Sequence, residues 1–217
     1  LKSFIKLEEA VSKIQSGNSL HIGGFIGGGI PAKMLTSLSQ KQIKDLLVIA
    51  NDSGFKEKGI GELIANRQVS KIICSHIGTN SDTVSQYLNK ELEVEFVPQG
   101  TLIERIRAAG AGLGGFLTPT GIGTSVEEGK KIIEIEGKKY LLELPLRADF
   151  ALIKAAKADK AGNLYYNGTA RNFNPTIAFS ADIVIAEVDE VVEIGEIKPE
   201  DVHTPGIFVD YIVNLNE

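Results

Sequence analysis

Leu7, Ala10, Val11 and Ile14 recur at the i, i+3, i+4, i+7 spacing of one helical face. That spacing predicts a first helix, with Gly17 as its C-terminal cap. Leu20-His21-Ile22 then reads as a short strand running into Gly23-Gly24-Phe25-Ile26-Gly27-Gly28-Gly29, and Pro31 takes a first helical position ahead of Met34, Leu35 and Leu38. The unit is strand, glycine loop, helix. The same grammar returns in Leu46-Leu47-Val48-Ile49-Ala50, ending at Asn51-Asp52, and in Lys71-Ile72-Ile73-Cys74, ending at Ser75-His76-Ile77-Gly78. A further copy, Val94-Glu95-Phe96-Val97, ends at Pro98-Gln99-Gly100, and Thr101 with Glu104 forms a capping box that starts the next helix toward Gly110.

Near-continuous apolar strands alternating with helical patterns predict an α/β fold: an open, mostly parallel sheet with helices on both faces. Each strand hands over to a polar or glycine-rich loop at its carboxyl end, the edge where open α/β sheets bind ligands. A small antiparallel insertion is expected where 131–135 and 140–144 flank the hairpin signal Glu136-Gly137. Buried strands resume at 150–153 and 183–188, and 211–213 reads as a last edge strand. No linker, low-complexity tract or repeat of fixed period is read, so residues 1–217 are taken as one domain.

Composition narrows the function classes. Hydrophobic residues make up 43% and charged residues 24% of the 217, enough apolar side chain for a core and too much for a disordered chain. Lys and Arg number 23 against 28 Asp and Glu, and no basic run interrupts the net charge of −5, so nucleic acid is not an expected partner. No stretch approaches a membrane span, and Leu1-Lys2-Ser3-Phe4 leads into an amphipathic segment rather than a signal-peptide core. A single cysteine, Cys74, leaves no internal disulfide framework and no cysteine-built zinc site. A cytoplasmic location without membrane association is the expectation.

Gly110-Ala111-Gly112-Leu113-Gly114-Gly115 has G-x-G-x-x-G spacing, but it follows a helix and precedes Thr118-Pro119-Thr120, whereas a dinucleotide fingerprint follows a strand and opens a helix. His21, His76 and His203 lack metal-ligand spacing; a strand-end imidazole making one hydrogen bond is the simpler reading, and no metal site is expected. Cys74 reads as a small buried hydrophobe. The loop at 23–29 has two readings. It is a cradle whose backbone N–H groups and following helix N-terminus hold an oxyanion or thioester carbonyl, or it is a tight strand-to-helix turn without a ligand. Asn51 and Gln99, at neighbouring strand ends, are either donors into the same crevice or turn and cap residues.

Gly23-Gly24-Phe25-x-x-x-Gly29-x-Pro31 resembles the glycine signature of family I coenzyme A transferases, specifically their α subunits. The resemblance extends through Ile49-Ala50-Asn51-Asp52, 75–80, 98–104, 110–123 and Ala170-Arg171-Asn172-Phe173-Asn174-Pro175, nearly the whole chain. It implies CoA transfer between an acyl-CoA and a short-chain carboxylate of the acetate, butyrate or acetoacetate class, with succinate left open because the chain also resembles the amino-terminal half of the 3-oxoacid CoA-transferases, and with coenzyme A as substrate and no cofactor. The family's nucleophile is a glutamate in a Ser-Glu-Asn-Gly motif of the β subunit, and this chain contains no Glu-Asn-Gly. The resemblance therefore implies a β-subunit partner, as α2β2. It assigns Gly23, Gly24, Phe25, Ile26, Gly27, Gly28 and Gly29 to the CoA-facing loop, and Gln99 and Asn51 to supporting positions beside the glutamyl adduct. His21 and Gly28 depart from the usual signature. Lys13 and Arg171 could attract CoA phosphates, although solvated or structural charges are the blander reading. A noncatalytic acyl-CoA-binding or regulatory subunit and a sugar-phosphate isomerase of similar fold are the alternatives.

Overall fold

The computed structural model describes residues 2–216; Leu1 and Glu217 lie outside the described residues. The central sheet is built from β1 (Ser3–Phe4), β2 (Ser19–Ile22), β3 (Leu46–Ile49), β4 (Val69–Cys74), β5 (Glu93–Phe96), β9 (Ala148–Asp159), β10 (Leu164–Tyr165), β11 (Ala181–Val192) and β12 (Tyr211–Asn214). Its order is β1-β12-β11-β9-β2-β3-β4-β5, parallel throughout, with only β10 running antiparallel beside β9. Helices α1 (Leu7–Ser12), α2 (Ala32–Ser39), α3 (Ile60–Ala65) and α4 (Ser81–Leu88) precede helices α5 (Gln99–Gly110) and α6 (Asn174–Ile177) in the chain.

Period-2 alternation explains why the strands read as continuous apolar runs. Leu20, Ile22, Val48, Ile72 and Leu152 pack beneath α1, α2 and α3, while Ile49, Ile73, Ala151 and Ile153 pack with Leu102, Ile106 and Ile177 from α5 and α6. Both faces are buried, so both alternate positions are apolar. The chain winds outward from β2 through β5, then returns to the other side of β2 to lay down β9, β11 and β12. Strand order thus reverses at β2, and the carboxyl end of β2 is the topological switch point where such sheets open a crevice.

The predicted antiparallel insertion is present as β6 (Phe116–Thr118), β7 (Ile132–Ile135) and β8 (Lys138–Glu143), ordered β6-β8-β7. Glu136 and Gly137 turn it with φ of 50° and 73°, both left-handed, as a two-residue type I′ hairpin requires. The glycines from 110 to 115 begin at the last residue of α5 and do not follow a strand, so no dinucleotide fingerprint forms.

Several local expectations are corrected. Helix α1 ends at Ser12, not at Gly17; Gly17, at φ 85°, belongs to a separate turn and donates its N–H to the Lys44 carbonyl. Pro31 is the N-cap of α2 rather than its first residue. Thr101 and Glu104 form no capping box, because Pro98 caps α5 three residues earlier; Thr101 is buried inside the helix and Glu104 pairs with Arg107 at 2.6 Å. Strand β12 is not an edge, since the two-residue β1 pairs outside it. A repeat was also missed. Gly-Phe-x-x-x-Gly-Ile occurs at 24–30 and again at 54–60, following β2 and β3 respectively.

Candidate active site

The glycine loop after β2 is a small hairpin. Phe25 N–H donates to the Gly28 carbonyl at 3.0 Å and Gly28 N–H donates back to Phe25 at 2.9 Å. Ile26 and Gly27 occupy its two central positions at φ 46° and 78°, a type I′ turn. A β-branched residue at positive φ is strained, and strain of this kind concentrates at ligand-binding segments. The hairpin consumes much of what an open cradle would offer. Gly23 N–H goes to Leu152 at 2.9 Å and Ile26 N–H to Asp52 Oδ2 at 3.0 Å, leaving the N–H groups of Gly24, Gly27 and Gly29 without a partner among the described residues. The N-terminus of α2 is also engaged, because the buried Glu187 carboxylate accepts from Met34 N–H at 2.8 Å. Burial pushes the Glu187 carboxyl above the usual carboxylate range.

Two of the glycines are required by a buttress inside the chain. Asn174, fully buried, donates through Nδ2 to the carbonyls of Gly29 (2.9 Å) and Ala170 (2.8 Å) and accepts from Lys154 N–H at 3.2 Å. A Cβ at position 23 would lie 1.8 Å from Asn174 Oδ1, and one at position 29 would lie 2.6 Å from the Ala170 carbonyl oxygen. Asn172 Nδ2 adds a bond to the Gly28 carbonyl at 3.0 Å. The segment at 170–175 therefore fastens the loop from behind. Gly28 is different: it is exposed, its φ is not left-handed, and a Cβ there would meet only Phe25 O at 3.4 Å.

The second copy of the string forms a matching hairpin, closed by Lys58 N–H to Phe55 O at 3.3 Å. Asp52 clasps the two. Its Oδ2 accepts from Ile26 N–H and from Asn51 Nδ2 at 2.9 Å, and its Oδ1 accepts from Gly54 N–H at 2.8 Å. Between the hairpins lies a crevice of about 130 Å³, walled by Ile22, Phe25, Ile30, Phe55 and Ile60, with Asn51, Asp52 and Lys58 as its polar lining.

Asn51 and Gln99, predicted from separate strand ends, are in contact. Gln99 Nε2 donates to Asn51 Oδ1 at 2.7 Å, and Ser75 Oγ reaches the Asn51 carbonyl at 2.7 Å. Gln99 is the first residue of α5 and exposed, while Asn51 is buried. Gln99 Nε2 spends one hydrogen on Asn51, so its second hydrogen and its Oε1 remain available. The carboxyl ends of β3, β4 and β5 thus feed one polar network beside the crevice. Sequence reading gave neither Asp52 nor Asn174 a role, although both stand in blocks that carry the resemblance; adjacency to Asn51 and the repeated Gly-Phe string were further signals for the first.

The remaining candidates lie outside this network. Lys13 Nζ sits 3.7 Å from Glu9 and 4.4 Å from the Tyr211 ring centroid, a structural placement, whereas Arg171 is exposed in the turn that fastens the loop. Burial pushes the Cys74 thiol up to about 12, which leaves it unreactive. His203 Nδ1 accepts from Tyr166 N–H at 3.0 Å, and His76 is exposed. Among the described residues no cluster of His, Cys, Asp and Glu suited to a metal ion is present.

His21 makes the single hydrogen bond expected, Nε2–H to the Leu146 carbonyl at 3.2 Å, and its buried Nδ1 has no partner among the described residues. Burial lowers its pKa from 6.5 to about 4. The unfolded chain therefore binds a proton between those values that the folded chain refuses, and stability is lost as pH falls through that window, by up to about 3 kcal/mol. The melting temperature is expected to drop between pH 6.5 and 4, and His21→Leu should flatten that dependence. Parallel pH profiles of the two proteins would place the acid sensitivity elsewhere.

The family model described as "Coenzyme A transferase" matches residues 4–215. The chain is 52% identical over 211 residues to the acetate CoA-transferase subunit alpha of Escherichia coli (strain K12), covering 97% of this chain and 96% of that protein. It is 50% identical over 209 residues to the acetoacetyl-CoA:acetate/butyrate CoA transferase alpha subunit of Clostridium acetobutylicum, with 96% of each covered. Among solved structures, an acyl-CoA transferase from Escherichia coli O157:H7 in thioester complex with CoA superposes with a TM-score of 0.88 at 24% identity, spanning 98% of this chain and 47% of that one. A variant of the decarboxylase AibA/AibB superposes at 0.83 with 27% identity over 99% of this chain and 84% of that one, so the fold by itself does not set the reaction.

Proposed function

The chain belongs to the coenzyme A transferase family, and from that premise we infer that it is the α subunit of a short-chain acyl-CoA:carboxylate CoA-transferase working with a β subunit. The observation that carries this reading is the near full-length match to α subunits at about half identity, in a chain that has no Glu-Asn-Gly of its own. We place it in an α2β2 assembly in the cytoplasm, as a single domain over 1–217, with coenzyme A as substrate and no cofactor. Among the described residues no helix is long and apolar enough to cross a membrane.

In the reaction, a glutamate carboxylate of the β chain attacks the acyl-CoA carbonyl, the C–S bond breaks, and an acyl-glutamyl anhydride and CoA thiolate result. The thiolate then attacks the glutamyl carbonyl, releasing the first carboxylate and leaving a glutamyl-CoA thioester. The acceptor carboxylate reverses the two steps and departs as its CoA ester. Each step passes through a tetrahedral oxyanion, and both covalent intermediates hydrolyse if water reaches them. The α chain's contribution is the surface against which this happens. The loop at 23–29 faces CoA, with the free N–H groups of Gly24, Gly27 and Gly29 as donors, and Gln99, aligned by Asn51, offers an amide hydrogen to the oxyanion.

Incubating the purified complex with acyl-CoA and then with borohydride or hydroxylamine tests the division of labour. Mass spectrometry is expected to find the modification on a β-chain glutamate, with this chain unmodified and, when purified alone, inactive. A label on Glu104, Glu127 or Glu128, or transfer by the isolated chain, would overturn it.

A further inference from the structure

The crevice between the two hairpins has a composition that selects among carboxylates. Its walls, Phe25, Ile30, Phe55 and Ile60, are apolar, and its volume of about 130 Å³ is close to that of the apolar cavity of roughly 150 Å³ known to accept a benzene ring. That is room for an acyl chain of a few carbons. Two charged residues line it. Lys58 is exposed at the rim, where solvent screens it. Asp52 is 7% exposed, and both of its oxygens are already fixed by N–H donors, from Gly54 on Oδ1 and from Ile26 and Asn51 on Oδ2. So held, the carboxylate can only accept hydrogen bonds, and the cation that lines the crevice with it, Lys58, is solvent-exposed while Asp52 is buried.

We propose that this crevice seats the acyl chain of the carboxylate substrate and that Asp52 is a specificity-determining residue, admitting uncharged short chains and rejecting those with a second, distal carboxylate. The inference rests on the transferase reading and sharpens it to a substrate class: unsubstituted or neutral-tailed short-chain monocarboxylates. A methyl or amide terminus meets apolar walls and a spare acceptor. A distal carboxylate meets a like charge on a buried Asp52, where solvent screens it less than it would at the surface, which is discrimination by a repulsive element rather than by a better fit.

The test uses the α–β complex with acetyl-CoA as donor and butyrate, succinate and succinamate as acceptors. Succinamate matches succinate in size and replaces only the distal charge by an amide. The wild-type complex is expected to use butyrate and succinamate with kcat/KM at least tenfold above succinate. Asp52→Asn should raise the succinate-to-butyrate ratio at least tenfold, chiefly through the KM for succinate. Because Asp52 also clasps the hairpins, the variant could fail to fold, and the wild-type series then decides alone. Succinate equal to succinamate, or preferred through Lys58, would overturn the proposal, as would a folded Asp52→Asn complex with an unchanged ratio. Absence of transfer to any carboxylate would instead bring down the transferase reading itself.

Discussion

Gln99→Ala is expected to lower kcat by roughly 100- to 1000-fold in both half-reactions, with little change in KM, the loss that follows removal of one oxyanion donor. The geometry makes this test clean. Gln99 is the exposed first residue of α5, so truncating it opens no core cavity, and its recorded side-chain contact is the 2.7 Å bond to Asn51. Alanine adds no bulk and favours the helix. A residue serving only as a helix-start or turn position would cost less than about tenfold, since surface substitutions stay within about 0.5 kcal/mol. Steady-state constants for forward and reverse transfer separate the cases: a rise in KM alone would indicate uniform binding of substrate and transition state. Unchanged constants would remove Gln99 from the site.

A single methyl group at position 23 is expected to do more damage than the same methyl at position 28. Gly23→Ala places its Cβ 1.8 Å from Asn174 Oδ1, so the Asn174 side chain must leave the position from which it holds Gly29, Ala170 and Lys154. Overpacking plus the stranded buried polar groups should cost about 3 kcal/mol or more. For a chain of this length that lowers the melting temperature by roughly 6 to 12 °C. Turnover per folded complex should fall by orders of magnitude as well, because the released loop no longer presents its free N–H groups. Gly28→Ala, with only Phe25 O at 3.4 Å from its Cβ, should melt within a few degrees of wild type. Calorimetry and turnover on both variants check the pair, and comparable melting of the two would mean that Asn174 does not wedge the loop.

What the amino-acid pattern disclosed follows from what is local. Strands β2 to β4 were legible because both their faces are buried, so apolar runs such as Leu46-Leu47-Val48-Ile49 stand out against polar loops. Glu136-Gly137 announced its hairpin through turn chemistry alone. Strands β9 and β11 were recognised only in their middles, because each runs 12 residues and carries paired charges, such as Lys157 with Glu190 at 2.8 Å, where it extends past the apolar core. Thr101 and Glu104 carried a correct capping pattern, but Pro98 had already opened the helix. In the site, Gln99 and Asn51 were found because strand ends are where such sheets bind, and their mutual hydrogen bond was not visible. The reason for Gly23 was not visible either, since Asn174 sits on the far side of the sequence and only folding brings the two together.

The clasp formed by Asp52 carries a consequence for how this site could diverge. One carboxylate both sets the charge of the crevice and ties the hairpin tip at Ile26 to the turn at Gly54. Any substitution that relaxes selectivity there also slackens two loops, so a new preference and a weakened scaffold arrive in the same step. An evolving or engineered lineage would need a second change first, one that gives the N–H of Ile26 or Gly54 another acceptor. The order of mutations, rather than their number, then governs whether the chain can be moved from one class of acid to another.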